Sequence, residues 1–492
     1  MRSSLLGLVI LSAGLAGCAS HRAATTPPSA PLALAAPADP GQRAEAPDAD
    51  GRGTPGSPDR TAEARDGRWI SAATSSDFML VGAQDEAFGV WIDVPRGASP
   101  GHVPTAMSLT IDTSGSMQGD KIEHAREAAR RIVSELHDGD VLSIVTFASG
   151  SRVRVAPTVI DARTRRHALA VIDELSADGG TAMFEGLKVA ESQLWGTPDT
   201  HLVRRMVVIS DGIATEGPSS PDELARVAEV GLQRGIQVTA IGVGLDYDES
   251  TLNALAIRTS GRLYHVEHSE QLPKIVAQEV ALLEATAATD VEVELVAAPG
   301  VEIIGTDSAQ TRWSGGNLVV PVGTMFEGQQ RELLVRARVD GATEGTKVLA
   351  SVRMHFRDPA QDGLQRVQET VLRATVTRDP SLVLAHVNSR TQTLLAMREA
   401  SMMAQQASLR ANDGDLDRAD EELARAEQRL HQQAALASTK EEKEQVMRSA
   451  EKLGNTRKDL AKAKKAPAAA RAKASRKAAL DLNDAAMDAF GY

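Results

Sequence analysis

At 492 residues the chain is too long for one simple core, so two or three folded domains are expected. A hydrophobic content of 42% suits a soluble protein, and 54 basic against 66 acidic residues give a net charge of -12. That balance argues against a general nucleic-acid binder, which needs clustered cations, and the single cysteine excludes an internal disulfide framework.

The opening stretch MRSSLLGLVILSAGLAGC sets Arg2 before an apolar run from Leu5 to Leu15 and closes on Leu-Ala-Gly-Cys. This is the layout of a secretory signal, too short and wrongly flanked for a spanning helix. Its end resembles the lipobox of bacterial lipoproteins. The resemblance implies that residues 1–18 are a lipoprotein signal and that Cys18 carries a diacylglycerol and becomes the mature N-terminus. Because two or more acyl chains anchor stably, the expected location is the cell envelope, lipid-anchored to a membrane. Ala19 resembles the outer-membrane sorting default in a Gram-negative host. Residues 19–68 are rich in Ala, Pro, Gly and Asp with almost no large apolar side chain, which predicts a disordered tether.

Residues 75–104 are strand-rich, with DFMLVGAQDEAFGVWIDVP at their centre. From 105 to 285, apolar runs of strand length alternate with helical periods: TAMSLTI, KIEHAREAARRIVSEL, DVLSIVTFA, HLVRRMVVIS, PDELARVAEVGLQRG, IQVTAIGVG. This predicts an α/β fold with a doubly wound, mostly parallel sheet, whose ligands bind outside the carboxyl ends of the strands.

Three such strand ends carry small oxygen-bearing residues. IDTSGSM supplies Asp112, Ser114 and Ser116, DGGTAM supplies Thr181 in a glycine-permitted loop, and VVISDG ends on Ser210 and Asp211. Hard, mostly neutral oxygens suit Mg2+. The set Asp-x-Ser-x-Ser, with a later Thr and a later Asp, resembles the metal-ion-dependent adhesion site of von Willebrand factor A (VWA) domains. The resemblance implies Ser114, Ser116 and Thr181 as direct ligands through their hydroxyls, and Asp112 and Asp211 acting directly or through water. It also implies an open vertex that accepts an acidic group from a partner. Mg2+ is the expected ion, with Mn2+ and Ca2+ as alternatives. GRLYHVEHSEQLPKIVAQEV looks like the last strand and helix of that family.

Other motifs carry less. HVEH, His265 to His268, lacks the spacing of zinc peptidases and reads as polar residues after an edge strand. GVGLDYD lacks the third glycine of a dinucleotide fingerprint, and TSGSM is not a nucleophile elbow. The chain shows no catalytic constellation and is read as a non-enzyme.

Residues 287–378 contain several short strands at the spacing of an antiparallel β-sandwich. The strands of 75–104 are expected to complete its sheet, which makes the α/β domain an insertion in, or a forerunner of, that sandwich. The layout resembles bacterial VWA proteins distantly related to calcium-activated chloride channel regulators. Residues 381–492 turn helical: Leu416, Ala419, Leu423, Ala426 and Leu430 form an amphipathic stripe, NDGD at 412–415 reads as a turn, and TKEE at 439–442 fits a capping box. The basic run from Lys452 to Lys477 reads as a solvated face or tail.

Together these features predict a lipid-anchored envelope module that binds a protein partner supplying Asp or Glu to the metal, an adhesin or assembly scaffold. The competing function is a metal-dependent envelope hydrolase, disfavoured because neutral hydroxyls supply no general base.

Overall fold

The computed structural model describes residues 67–465 and 467, except 83–84, 245–246, 269–270 and 308–310. The signal with Cys18, residues 19–66 of the expected tether and nearly all of the basic run beyond Lys465 lie outside the described residues.

Three strands come first: β1 (Ile70–Thr74), β2 (Phe78–Leu80) and β3 (Asp85–Asp93). Strand structure therefore starts at Ile70, ahead of the expected boundary at 75. The segment ISAAT has one large apolar residue and becomes a strand by pairing along β3, from Ile70 opposite Ile92 to Thr74 opposite Phe88.

The α/β layer follows: β4 (Thr105–Asp112), α1 (Asp120–Glu135), β5 (Val141–Phe147), β6 (Ser151–Val159), α2 (Ala162–Asp173), α3 (Met183–Trp195), β7 (Val203–Ser210), α4 (Pro221–Leu232), β8 (Ile236–Val243), α5 (Glu249–Ile257), β9 (Arg262–Val266) and α6 (Leu272–Glu284). Its sheet runs β6-β5-β4-β7-β8-β9, parallel except for the β5–β6 pair. Side chains alternate along β4. Met107, Leu109 and Ile111 pack with α1, α2 and α6 on one face, while Ala106 joins α3, α4 and α5 on the other. On the α3 side a glycine permits close approach, because a Cβ at Gly186 would stand 2.7 Å from the Phe147 ring. Helix starts follow their sequence signals: Asp161 with Thr164 and Ser220 with Glu223 form capping boxes for α2 and α4.

Sequence periodicity did not reveal β6. SRVRVAPTV is mostly exposed and contains Pro157, which an edge strand tolerates, and the pairing register with β5 shifts between Leu142 and Ile144 beside it.

After α6 the chain returns to β structure: β10 (Thr286–Ala297), β11 (Val301–Thr306), β12 (Arg312–Ser314), β13 (Asn317–Phe326), β14 (Gln330–Val339), β15 (Gly345–Asp358) and β16 (Leu364–Thr377). Two sheets, β1-β3-β14-β11 and β12-β13-β10-β15-β16-β2, share one apolar core that includes Phe88, Val90, Val293, Val335 and Val352. Strand β3 lies between β1 and β14, pairing with β14 from Asp93 opposite Gln330 to Asp85 opposite Arg338. The α/β layer thus departs after β3 and the chain re-enters the same β core at β10. The pairs are antiparallel apart from β16 with β2.

Four helices end the described chain: α7 (Pro380–Ala385), α8 (Ser389–Asn412), α9 (Leu416–Leu436) and α10 (Lys440–Lys465). The stripe Leu416, Ala419, Leu423, Ala426 and Leu430 is buried against α8 and α10, and the turn between α8 and α9 uses Gly414 at φ +80°. At the start of α10 the Thr439 hydroxyl accepts from Glu442 N, as a capping box requires. The Glu442 carboxylate accepts instead from Ser438 N and the Ser389 hydroxyl, so the reciprocal bond lands one residue early and ties α10 to α8. No helix among the described residues is long and apolar enough to cross a membrane.

Candidate metal centre

The parallel register brings the oxygen-rich ends together. Ile111 pairs with Ile209, so Asp112 at the end of β4 stands beside Ser210 at the end of β7, and the Ser210 hydroxyl donates to Asp112 Oδ2 at 2.6 Å. Asp112 Oδ1 accepts from Ser114 N at 2.9 Å, which turns the chain back over the strand end. A short 3-10 turn, Gly115–Met117, buries Met117 completely and leaves Ser116 at the surface. The hydroxyls of Ser114 and Ser116 lie 3.1 Å apart.

Backbone hydrogen bonds hold the Thr181 loop between the other two. Asp178 N donates to Thr113 O and Gly115 N to Gly179 O, both at 2.9 Å, and Gly179 has φ +83°. On the other side Thr181 O accepts from Thr215 N at 3.1 Å and Glu216 N at 3.2 Å, while Thr181 N donates to Thr215 Oγ1 at 2.9 Å. The segments carrying Ser114, Ser116, Thr181 and Asp211 are thereby gathered around Asp112 at one edge of the sheet. Asp112, Ser114, Thr181 and Asp211 are buried.

Burial dominates the electrostatics. It pushes the Asp112 carboxyl up to about 6 from 3.8, against the downward pull of the Ser114 and Ser210 hydrogen bonds, and neighbouring Asp211 adds to the rise. Asp211 is itself fully buried, and Lys121 Nζ, from the first turn of α1, lies 2.8 Å from its Oδ2. Sequence reading missed Lys121. A lysine in GDKIEH looks like any solvated helix residue, and only the placement of the first turn of α1 above the sheet edge turns it inward. The Lys121 stem also runs across the end of β8, its Cε 3.0 Å from where a Cβ on Gly244 would sit.

The residues present fit a hard divalent cation. The donors are hydroxyls and carboxylates, and two buried carboxylates side by side are costly unless positive charge joins them. Lys121 supplies such charge to Asp211 and so competes for it. Lys121→Met is expected to tighten Mg2+ binding by about tenfold, the value of roughly 1.4 kcal/mol of lost competition. In EDTA the same variant should melt earlier, because it strands a buried carboxylate. Mg2+ titration followed by thermal shift checks both signs; weaker Mg2+ binding would make Lys121 a supporting residue.

HVEH is not assembled into a site. The ring of His265 stacks on Tyr247 at 5.1 Å, and His268 sits 3.7 Å from Glu267 at the surface.

A doubly wound layer with this loop constellation defines a class, and residues 107–278 match the von Willebrand factor type A domain. The chain therefore carries a VWA domain. It is 25% identical over 272 residues to an uncharacterized protein of Synechocystis sp., covering 52% of this chain and 63% of that one. It is 26% identical over 238 residues to the uncharacterized protein YfbK of Escherichia coli, covering 47% and 41%. Both matches span less than two thirds of the relative. A solved von Willebrand factor type A structure from Catenulispora acidiphila superposes with a TM-score of 0.68 at 21% identity, covering 85% of this chain and 96% of that one, so the fold it shares extends beyond the α/β layer.

Proposed function

We propose that this protein is a lipid-anchored cell-envelope module that captures an acidic group of a partner protein at a divalent-metal site made by Asp112, Ser114, Ser116, Thr181 and Asp211. VWA domains are commonly metal-dependent protein-interaction modules, which supports the class. The observation that carries the reading is the layering of the site: Asp112 and Asp211 are buried, while Ser116, whose hydroxyl lies 3.1 Å from that of Ser114, is exposed. A divalent ion held there, Mg2+ first with Mn2+ or Ca2+ as alternatives, would supply a positive vertex for a visiting carboxylate. Around it Ser114 and Ser116 offer neutral oxygens. Asp112 and Asp211 stay below them, while the exposed Asp178 and Glu216 flank the Thr181 loop, so the ion's charge is what would draw the approaching acid.

A hydrolase reading gains less support. Asp112 and Asp211 are buried beneath the hydroxyls, and Asp211 is paired with Lys121. A general base needs a carboxylate within reach of the attacking water.

The test recovers bound proteins from extract of the native host on wild type and on Ser116→Ala, in Mg2+ and in EDTA. Partners should appear on wild type in Mg2+ alone; recovery of the same set in all four conditions overturns the reading. The anchor is tested separately. Cys18→Ala should move the protein from the detergent-extracted membrane, the outer membrane in a Gram-negative host, to the soluble envelope fraction, and unchanged association would reject the lipid attachment.

A further inference from the structure

At the opposite edge of the α/β sheet, where the parallel strands begin, the geometry points to a second metal site of different chemistry: a Zn2+-class ion held by His102, His137 and Asp140, with Glu284 as fourth donor. One ligand atom from each of His102, His137 and Asp140 lies within 4.8 Å of the other two. Bonds of about 2.0–2.1 Å around a tetrahedral ion place donors about 3.3 Å apart, so small rotations of the two imidazoles close the set.

Asp140 is the fixed member. It is 1% exposed, its Oδ1 accepts from Thr105 N at 3.0 Å and its Oδ2 from His137 N at 2.9 Å. Each carboxylate oxygen keeps a further lone pair after those bonds. His102 Nε2 already lies 3.1 Å from Oδ1, and the rings of His102 and His137 stack with centroids 4.0 Å apart. Glu284 Oε1 lies 3.8 Å from His137 Nε2. Behind the cluster Met107, Ile132, Val207 and Ile275 line the same pocket, together with Glu135 and Glu279. Two imidazoles and a carboxylate select a borderline transition ion over Mg2+, whereas the hydroxyl-rich centre at the other edge does the reverse.

The placement gives the ion a task. His102 lies just before β4 and Glu284 just before β10, the two points where the chain passes between the β core and the α/β layer. The Ser99 hydroxyl already donates to Glu284 O at 2.6 Å across these two connections. A bound ion would clip the incoming and outgoing segments together and stiffen the join between the layers.

The experiment uses the full chain without a histidine tag, in excess Mg2+ so that the oxygen-rich centre is saturated, with Zn2+ titrated against a chromophoric chelator. Wild type and Ser116→Ala should each take up one Zn2+ in competition with the chelator. His102→Gln and His137→Gln should each lose at least about 100-fold in affinity, the upper end of what removing a mere supporting residue costs. These exposed positions avoid the folding defect that Asp140 variants would bring through the lost Thr105 and His137 amide bonds. Co2+ in place of Zn2+ should give visible absorption typical of tetrahedral nitrogen–oxygen ligation in wild type and lose it in His137→Gln. Absence of stoichiometric Zn2+ uptake by wild type, or equal uptake by either histidine variant, overturns the site and leaves a hydrogen-bonded, stacked histidine pair.

Discussion

Asp112→Asn is expected to stabilise the protein in EDTA above neutral pH while destroying its Mg2+ response. The Asp112 carboxyl titrates at about 6 in the folded protein against 3.8 unfolded. An acid whose folded value lies above its unfolded value binds its proton more tightly when folded. Its contribution is thus most favourable below pH 4, falls as pH rises toward 6, and remains a constant cost beyond. Two pH units correspond to about 3 kcal/mol, an upper figure for a site that relaxes, and Asn never carries the charge. The bond from Ser114 N survives at Asn Oδ1, while the Ser210 bond reverses, Nδ2 donating to a hydroxyl that already accepts from Gly212 N at 2.8 Å and has a second lone pair, which trims the gain.

Melting curves in EDTA should therefore favour the variant by several degrees at pH 8, at about 2–4 °C per kcal/mol for a domain of this size, with the gap closing toward pH 4. Adding Mg2+ should reverse the order, because the wild type alone would gain binding energy. A variant that melts below wild type in EDTA at pH 8 would show that the Asp112 charge supports the fold without metal. Such a trade of stability for function is the mark of a binding site kept in place at a cost.

Sequence made this site legible because Asp112, Ser114, Ser116 and Asp211 end or follow strands that advertise themselves, with Thr181 added from the glycine-rich loop between α2 and α3. TAMSLTI, VVIS and IQVTAIGV are apolar enough to be buried on both faces, and the parallel order then brings Asp112 and Ser210 together. What stayed hidden depends on three-dimensional neighbours. Lys121 has the spacing of a surface residue, and His102, His137 and Asp140 lie in two unremarkable loops whose meeting is set by strand order alone. Edge strands were also poorly marked, since β6 and β1 take their conformation from β5 and β3 instead of from an apolar pattern of their own. The motif gave no warning that the Asp112 carboxyl is raised. Burial controls that, and burial is a property of the finished fold.

Trp91→Ala is expected to cost about 3–5 kcal/mol and to release the C-terminal helices from the β core without touching the metal centre. Trp91 lies on the face of β3 away from the sandwich interior, 2% exposed, packed with Leu334 of β14 and Leu394 of α8. The Arg390 guanidinium lies 4.6 Å from its ring centroid and forms two hydrogen bonds with Asp93, at 2.9 and 2.6 Å. Nearby, Thr391 Oγ1 donates to Ala73 O at 3.2 Å and Arg398 Nη2 to Glu332 O at 2.8 Å. Thr391 and Arg398 are buried, Arg398 also pairs with Asp307, and Arg390 with Asp93 is half-exposed; among the apolar contacts the indole is the main anchor of α8 on the sheet. Gly89 makes room for it: a Cβ there would fall 2.4 Å from the ring, so Gly89→Ala should displace the indole and reproduce the effect from the other side. Limited proteolysis should cut the segment 378–388 faster in both variants, and the melt should separate into an early helical step and a later one. The Mg2+ midpoint should match wild type, because Asp112 and its partners belong to a different core. Unchanged protease resistance in both variants would mean that the polar ties alone hold the helices, and a shifted Mg2+ midpoint would mean that the β core and the metal centre are coupled.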